Sequence, residues 1–195
     1  MKRILTAIAA LAIALTLSCG GGNKPAAPKA AAPKTEAPAA ITANVPAGWP
    51  TGAFGELTKP EMEAYAKVLP NVMAELKKSG FKPVQSNPPD LVRDMGATIE
   101  AMKTAGVEAV LKSANMTWDA YRTTTYRVMA ATNAMVLGMA EAMAGDSTSK
   151  EAQQARAILK KAKPVFDQVP KANGQMLFTY MDQLKPLDEI EGPTK

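Results

Sequence analysis

The sequence predicts an all-α protein, a compact bundle of about five helices that follows a cleaved signal and a disordered Pro/Ala-rich tether. Three observations predict it. Apolar residues recur at helical spacing through residues 58–184, helix start and stop residues bracket those stretches, and no segment shows sustained strand alternation or an internal repeat. The chain divides into residues 1–18 as signal, 19–44 as tether and 45–195 as one helical domain, long enough to bury a sizeable core.

Lys2 and Arg3 give a positive start, residues 4–17 are predominantly apolar, and the small Ser18 directly precedes Cys19. That is the layout of a secretory signal. The apolar run is shorter than the roughly 20 residues a membrane-spanning helix needs. Cys19 is the only cysteine, so it can make no intramolecular disulfide, and it sits where the apolar run meets Gly20-Gly-Gly22. Residues 1–22 resemble a bacterial lipoprotein signal, whose cysteine is acylated and becomes the new N-terminus. They depart from the usual pattern at Thr16, three residues before the cysteine, where leucine is common; Leu15 and Leu17 flank it. The resemblance implies a lipid anchor on Cys19 and a place in the cell envelope. Because Gly20 is not the aspartate that tends to mark inner-membrane retention, it implies the outer membrane, facing the periplasm.

From Gly20 to about residue 40 the chain is Gly, Ala, Pro, Lys and Thr, with Pro25, Pro28, Pro33 and Pro38 spaced through it. It cannot bury enough apolar surface to offset ordering, and proline favours extended conformations of about 3.1 Å per residue. Lys24, Lys29 and Lys34 against Glu36 would keep this leash soluble or draw it to anionic lipid. Of 23 Lys and Arg, five (Lys2, Arg3, Lys24, Lys29, Lys34) precede residue 41, as does one of 18 acids, Glu36; the remaining 18 against 17 give +1. The folded part is thus not basic, and no nucleic-acid partner is expected.

The domain opens on a turn-rich arm, residues 45–55, that carries Trp49 and Phe54. It is expected to pack back onto the bundle, with a partner-binding arm as the competing reading. Thr58-Lys-Pro-Glu61 is a capping box opening a helix whose inner stripe is Met62, Tyr65, Leu69, Val72, Met73 and Leu76, stopped at Gly80. Pro70 predicts a kink or break near Leu69. A second helix starts near Pro89-Asp90, buries Leu91, Met95, Ile99 and Met102, and is interrupted at Gly106 before a short continuation over residues 107–111.

The third helix, capped by Thr117, repeats Trp118, Tyr121, Thr125, Val128, Thr132, Met135, Met139 and Met143, and carries Ala130, Ala131, Ala134 and Leu137 on other faces. It should be central, with neighbours on several sides, and end at Gly145-Asp146. A capping box, Thr148-Ser-Lys-Glu151, opens the fourth, with Ala155, Ile158, Leu159, Ala162, Phe166 and Val169 inward and a kink near Pro164. A last helix from about Asn173 buries Met176, Leu177, Tyr180, Met181 and Leu184.

The absence of histidine removes histidine-dependent triads, the usual zinc and haem sites and a histidine pH switch. No catalytic residue, enzyme activity or cofactor is expected. Ser147-Thr-Ser-Lys150 matches the S-x-x-K pattern of penicillin-recognising enzymes, but no Ser-Asp-Asn accompanies it and Lys103-Thr104 is followed by Ala105 rather than glycine. Capping is its expected role. Asp90 and Asp94, four apart, read as a capped helix start with Arg93 beside them.

Met135, Met139 and Met143 place three thioethers on one stripe, the weak candidates for a Cu(I) site; the stripe coincides with the core face, so core filling is expected instead. Arg122, Tyr126 and Arg127 are the candidates for a ligand or partner site, being of types favoured at interaction hot spots. Lys160 and Lys163, with Arg156 nearby, are candidates for docking on anionic lipid or an acidic partner, against the reading of a solvated face. The expected function is that of a non-enzymatic envelope lipoprotein, its helical domain contacting an envelope protein or maintaining structure at the membrane. The alternative is a periplasmic carrier or sensor of a small apolar ligand, or less readily Cu(I), within the bundle.

Overall fold

The computed structural model describes residues 45–143 and 150–187. Among them are six α-helices, one π-helical turn and no strand: α1 (Lys59–Lys78), α2 (Leu91–Met102), the π-turn Lys103–Val107, the short α3 (Glu108–Ser113), α4 (Trp118–Met143), α5 (Lys150–Phe166) and α6 (Lys171–Leu184). The all-α class and the five long helices are those the periodicity predicts. The Cys19 anchor, the tether, the Gly145-Asp146 stop and the Thr148 cap lie outside the described residues.

The caps account for where the helices begin. Thr58 Oγ1 accepts from Glu61 N at 3.4 Å while Glu61 Oε2 accepts from Thr58 N at 2.9 Å, closing the capping box of α1. Asp90 Oδ1 accepts from Arg93 N at 3.2 Å to cap α2, and Thr117 Oγ1 accepts from Ala120 N at 3.2 Å at the start of α4. Asp94 organises the approach to α2: its Oδ2 accepts from Ser86 N at 3.1 Å and from Ser86 Oγ at 3.0 Å. The interruption after α2 falls at Gly106, whose φ of 89° is closed to most side chains, so the helix turns there and restarts as α3.

Of the kink or break expected near Leu69, no break occurs, and α1 runs on through Pro70. Pro70 lies on the exposed face while Val68, Leu69, Val72 and Met73 are buried opposite, and that burial outweighs a local proline cost of about 3 kcal/mol. Pro164 likewise sits exposed in the last turn of α5, which ends two residues on at Phe166. Met181 is a second correction: it is 41% exposed, beside Phe178 at 53%. The buried stripe of α6 is Asn173, Leu177 and Tyr180 with Leu184 half-buried, and Met181 is turned about 100° from Tyr180. The helix also starts earlier than expected, at Lys171, after Pro170.

α4 packs against every other helix, and two core clusters lie on its opposite faces. One joins α1, α3 and α6 through Tyr65, Leu69, Leu111, Trp118, Tyr121 and Leu177. The other joins the arm, α2 and α5 through Trp49, Phe54, Ile99, Tyr126 and Phe166. Small residues Ala130 and Ala131, each at most 1% exposed, let neighbours approach on both sides at once. Thr132, placed on the inner stripe by periodicity, is exposed and returns its hydroxyl to Val128 O at 2.9 Å.

Asp90 gives a first prediction. Its carboxyl is held below the usual range, first by the hydrogen bond from Lys161 at 2.6 Å and then by the Arg93 N–H. A carboxylate whose folded pKa is depressed stabilises above its unfolded value and loses that contribution as pH falls through the folded one. Asp90→Ala should lower stability by about 1 kcal/mol at pH 7 through loss of the cap. Asp90→Asn, which keeps the cap, should cost less, and its deficit should vanish below the carboxylate range; urea unfolding at neutral and acid pH checks both.

Candidate functional site

The arm, residues 45–57, has little regular structure of its own, so its carbonyls need donors from the bundle. Three side chains supply them. Arg127 Nε donates to Gly52 O at 2.7 Å, and its Nη1 donates to Glu56 O at 3.1 Å and to Glu61 Oε1 at 2.8 Å. Arg122 Nη2 donates to Gly48 O at 2.7 Å while its Nε bonds Glu100 Oε1. Asn173, fully buried on α6, donates from Nδ2 to Gly55 O at 3.0 Å and accepts from Leu57 N at 2.8 Å.

Held this way, the arm inserts its aromatics. Trp49 packs on Tyr126 with ring centroids 5.0 Å apart, on Phe54 at 5.7 Å and on Phe166 at 6.3 Å. Burying Trp49 and Phe54 contributes about 2–3 kcal/mol each. The arm is thus packed back onto the domain, the first of the two readings weighed for it. Two glycines permit the fit: a Cβ on Gly55 would fall 2.7 Å from Arg127 Nη2, and one on Gly96 would fall 2.9 Å from Trp49 Nε1.

Beside the inserted Trp49 the arm leaves a cleft of about 410 Å³. Its lining comes from the arm (Pro46, Gly48, Trp49), from the start and one face of α2 (Asp90, Arg93, Gly96, Ala97, Glu100) and from Tyr126 of α4. The volume lies within the roughly 300–1,000 Å³ of small-molecule sites. Tyr126 donates to Glu100 Oε1 at 3.2 Å and lies 3.4 Å from Gly96 O, with the Arg122 guanidinium 5.4 Å over its ring. Burial, and then the Glu100 charge, push the Tyr126 phenol up to about 12, so it is a donor at neutral pH.

Of the residues singled out from the sequence, Arg122 and Tyr126 meet on Glu100 and Tyr126 lines the cleft, while Arg127 is committed to the arm and Glu61. Tyr126 is fully buried, with its hydroxyl turned to Glu100. Lys163 pairs with Asp167 at 2.9 Å and Glu141 at 3.3 Å, and Lys160 is exposed on the same helix. Met135 packs against the first core cluster and Gly174, Met139 is half-buried, and the Met143 side chain lies outside the described residues. Among the described residues no three Asp, Glu, His or Cys side chains converge.

Sequence reasoning missed Trp49, Gly96 and Glu100 as cleft residues and Asn173 as an arm anchor. Asn173 left one usable signal: a polar residue in register with Leu177 and Tyr180 at i, i+4 and i+7. The chain matches no family model, no curated protein and no solved structure.

Two predictions concern the clasp. Arg127→Ala should lower stability by about 2–3 kcal/mol in urea unfolding and open residues 45–57 to proteolysis. Arg127→Lys should rescue it only in part, because an ammonium cannot make the fork of bonds. Unfolding at the parent urea concentration would mean that the clasp does not hold the arm.

Tyr126 makes alkaline pH informative. Its phenol is ionised less readily folded than unfolded, so its contribution is complete below about pH 10 and lost as pH approaches 12. Tyr126→Phe should cost about 1 kcal/mol at pH 7, and its unfolding midpoint should converge on that of the parent as pH rises from 10 to 12.

Proposed function

We propose that this chain is a lipid-anchored protein of the bacterial cell envelope, held through Cys19 at the outer membrane facing the periplasm. In this reading its helical domain acts without catalysis, by contacting another envelope component. The anchor rests on Lys2 and Arg3, the short apolar run, Ser18, the lone Cys19 and the Gly/Pro/Ala leash that follows. Among the described residues no helix is long and apolar enough to cross a membrane.

One observation carries the non-catalytic half. Both carboxylates lining the cleft already have structural duties: Asp90 caps α2 and pairs with Lys161, and Glu100 accepts from Arg122 and Tyr126. A general acid or base needs a pKa and a partner tuned for proton transfer. Asp90 is instead held in its charged form by Lys161 and the Arg93 N–H, and Glu100 is committed to Arg122 and Tyr126. The second reading, a carrier or sensor, is favoured by the cleft itself, although its lining of charged, aromatic and small residues differs from the apolar one that a small apolar ligand calls for.

The anchor is tested by mass spectrometry of protein taken gently from its own membranes, alongside Cys19→Ser. Acyl mass on the N-terminus, lost together with membrane association in the variant, is the expected result. An unmodified Cys19 in membrane-extracted protein would overturn the anchor.

A further inference from the structure

The cleft presents its polar groups in an order that defines a ligand. Arg93, Gly96, Ala97 and Glu100 line one wall at i, i+3, i+4 and i+7 of a single helix, so they form one continuous face. At its N-terminal end stands the Arg93 guanidinium, 62% exposed and 3.9 Å from Asp94, in the first turn of α2, where the helix dipole is positive. Asp94 is the acid that faces this guanidinium, while Asp90 at the same end caps α2 through Arg93 N and pairs with Lys161 Nζ.

At the other end Glu100 uses Oε1 for both Arg122 and Tyr126, and among the described residues Oε2 has no partner. Between the two poles the indole nitrogen of Trp49 lies against Gly96. The Trp49 indole N–H and Glu100 Oε2 thus offer a ligand one donor and one acceptor in the same cleft.

The register sets the distance. Arg93 and Glu100 are seven residues apart, about 10 Å along a helix rising about 1.5 Å per residue, with Gly96 near the midpoint. An extended peptide of three residues spans about 10 Å at roughly 3.3–3.6 Å per residue. We propose that this cleft binds a short peptide of about three residues, its C-terminal carboxylate toward Arg93 and the start of α2, a backbone carbonyl on the Trp49 indole N–H, and its N-terminal ammonium on Glu100 Oε2. Pro46, Gly48 and Ala97 leave room for small side chains. A single amino acid carries both charges but is too short to reach both poles. The inference goes beyond the anchoring proposal and is independent of it, since Cys19→Ser alters no cleft residue.

Isothermal titration calorimetry on the full chain with trialanine tests it. Trialanine should bind one to one, and N-acetyl-trialanine, trialanine amide and free alanine should each bind about tenfold more weakly or worse. The decisive readout is coupling. Arg93→Gln should weaken trialanine about tenfold yet leave trialanine amide unaffected, and Glu100→Gln should weaken trialanine yet leave N-acetyl-trialanine unaffected. Arg93 is exposed, so its variant keeps the fold, and thermal unfolding of both variants verifies this. No binding of trialanine tighter than about 1 mM, equal binding of the blocked peptides, or equal binding of free alanine would each overturn the proposal. Full-chain and Cys19→Ser proteins should bind alike, which separates this result from any failure of the anchor.

Discussion

The rest of the structure depends on satisfying the backbone of a segment that is neither helix nor strand. An irregular arm laid across a helical bundle would leave carbonyls facing protein rather than water, at a cost of roughly 1–3 kcal/mol for each one left unpaired. Arg122, Arg127 and Asn173 meet that requirement from two helices, reaching Gly48, Gly52, Gly55 and Glu56. Only with these bonds in place can Trp49 and Phe54 stay among Tyr126, Ile99 and Phe166, and only then does the second core cluster close. The cleft beside Trp49 is a by-product of the same arrangement, since one of its walls is the arm itself.

α4 makes this possible by working on two sides. A helix with a single apolar stripe buries one face and leaves charges on the other. Here Tyr121, Val128 and Ala131 face one cluster while Tyr126, Ala130 and Leu137 face the other. The arginines at positions 122 and 127 occupy the sectors left over, which is where the arm crosses. The first cluster accepts a polar burden of its own: Tyr65 and Tyr121 stack at 5.3 Å, burial pushes both phenols up, and the Tyr65 hydroxyl lies beside those of Thr125 and Tyr121 without a well-formed hydrogen bond.

The helices were legible in the sequence because their signals are local. Thr58 and Glu61, Asp90, Thr117 and Gly106 each act within a few residues of themselves, and each sits where a helix starts or turns. The misplacements at Pro70 and Met181 have one origin, which is that periodicity does not report which sector a neighbour covers. Pro70 is tolerated because its face of α1 is open, and Met181 is exposed because its face of α6 is uncovered. The cleft was far less legible. Glu100 lies between helix-stripe residues with no motif, and its partners Arg122 and Tyr126 stand 22 and 26 residues away. Gly48 and Arg122 are 74 apart, and Gly55 and Asn173 are 118 apart. Pairings of that separation leave no pattern in one sequence.

The way charge is used in this domain bears on what it can do. Glu61 closes the capping box of α1 with one oxygen and holds Arg127 with the other, so a helix start and the arm share one carboxylate. Glu100 serves Arg122 and Tyr126 through a single oxygen, and Asp90 divides its two between a cap and Lys161. Lys161 holds the Asp90 carboxyl below the usual range, and burial with the Glu100 charge holds the Tyr126 phenol above its own. Fixed charges suit recognition, where preorganised donors and acceptors lower the cost of ordering a ligand. The charged groups around the cleft are thus committed first to the start of α2 and to the arm, and the cleft's shape follows from those commitments.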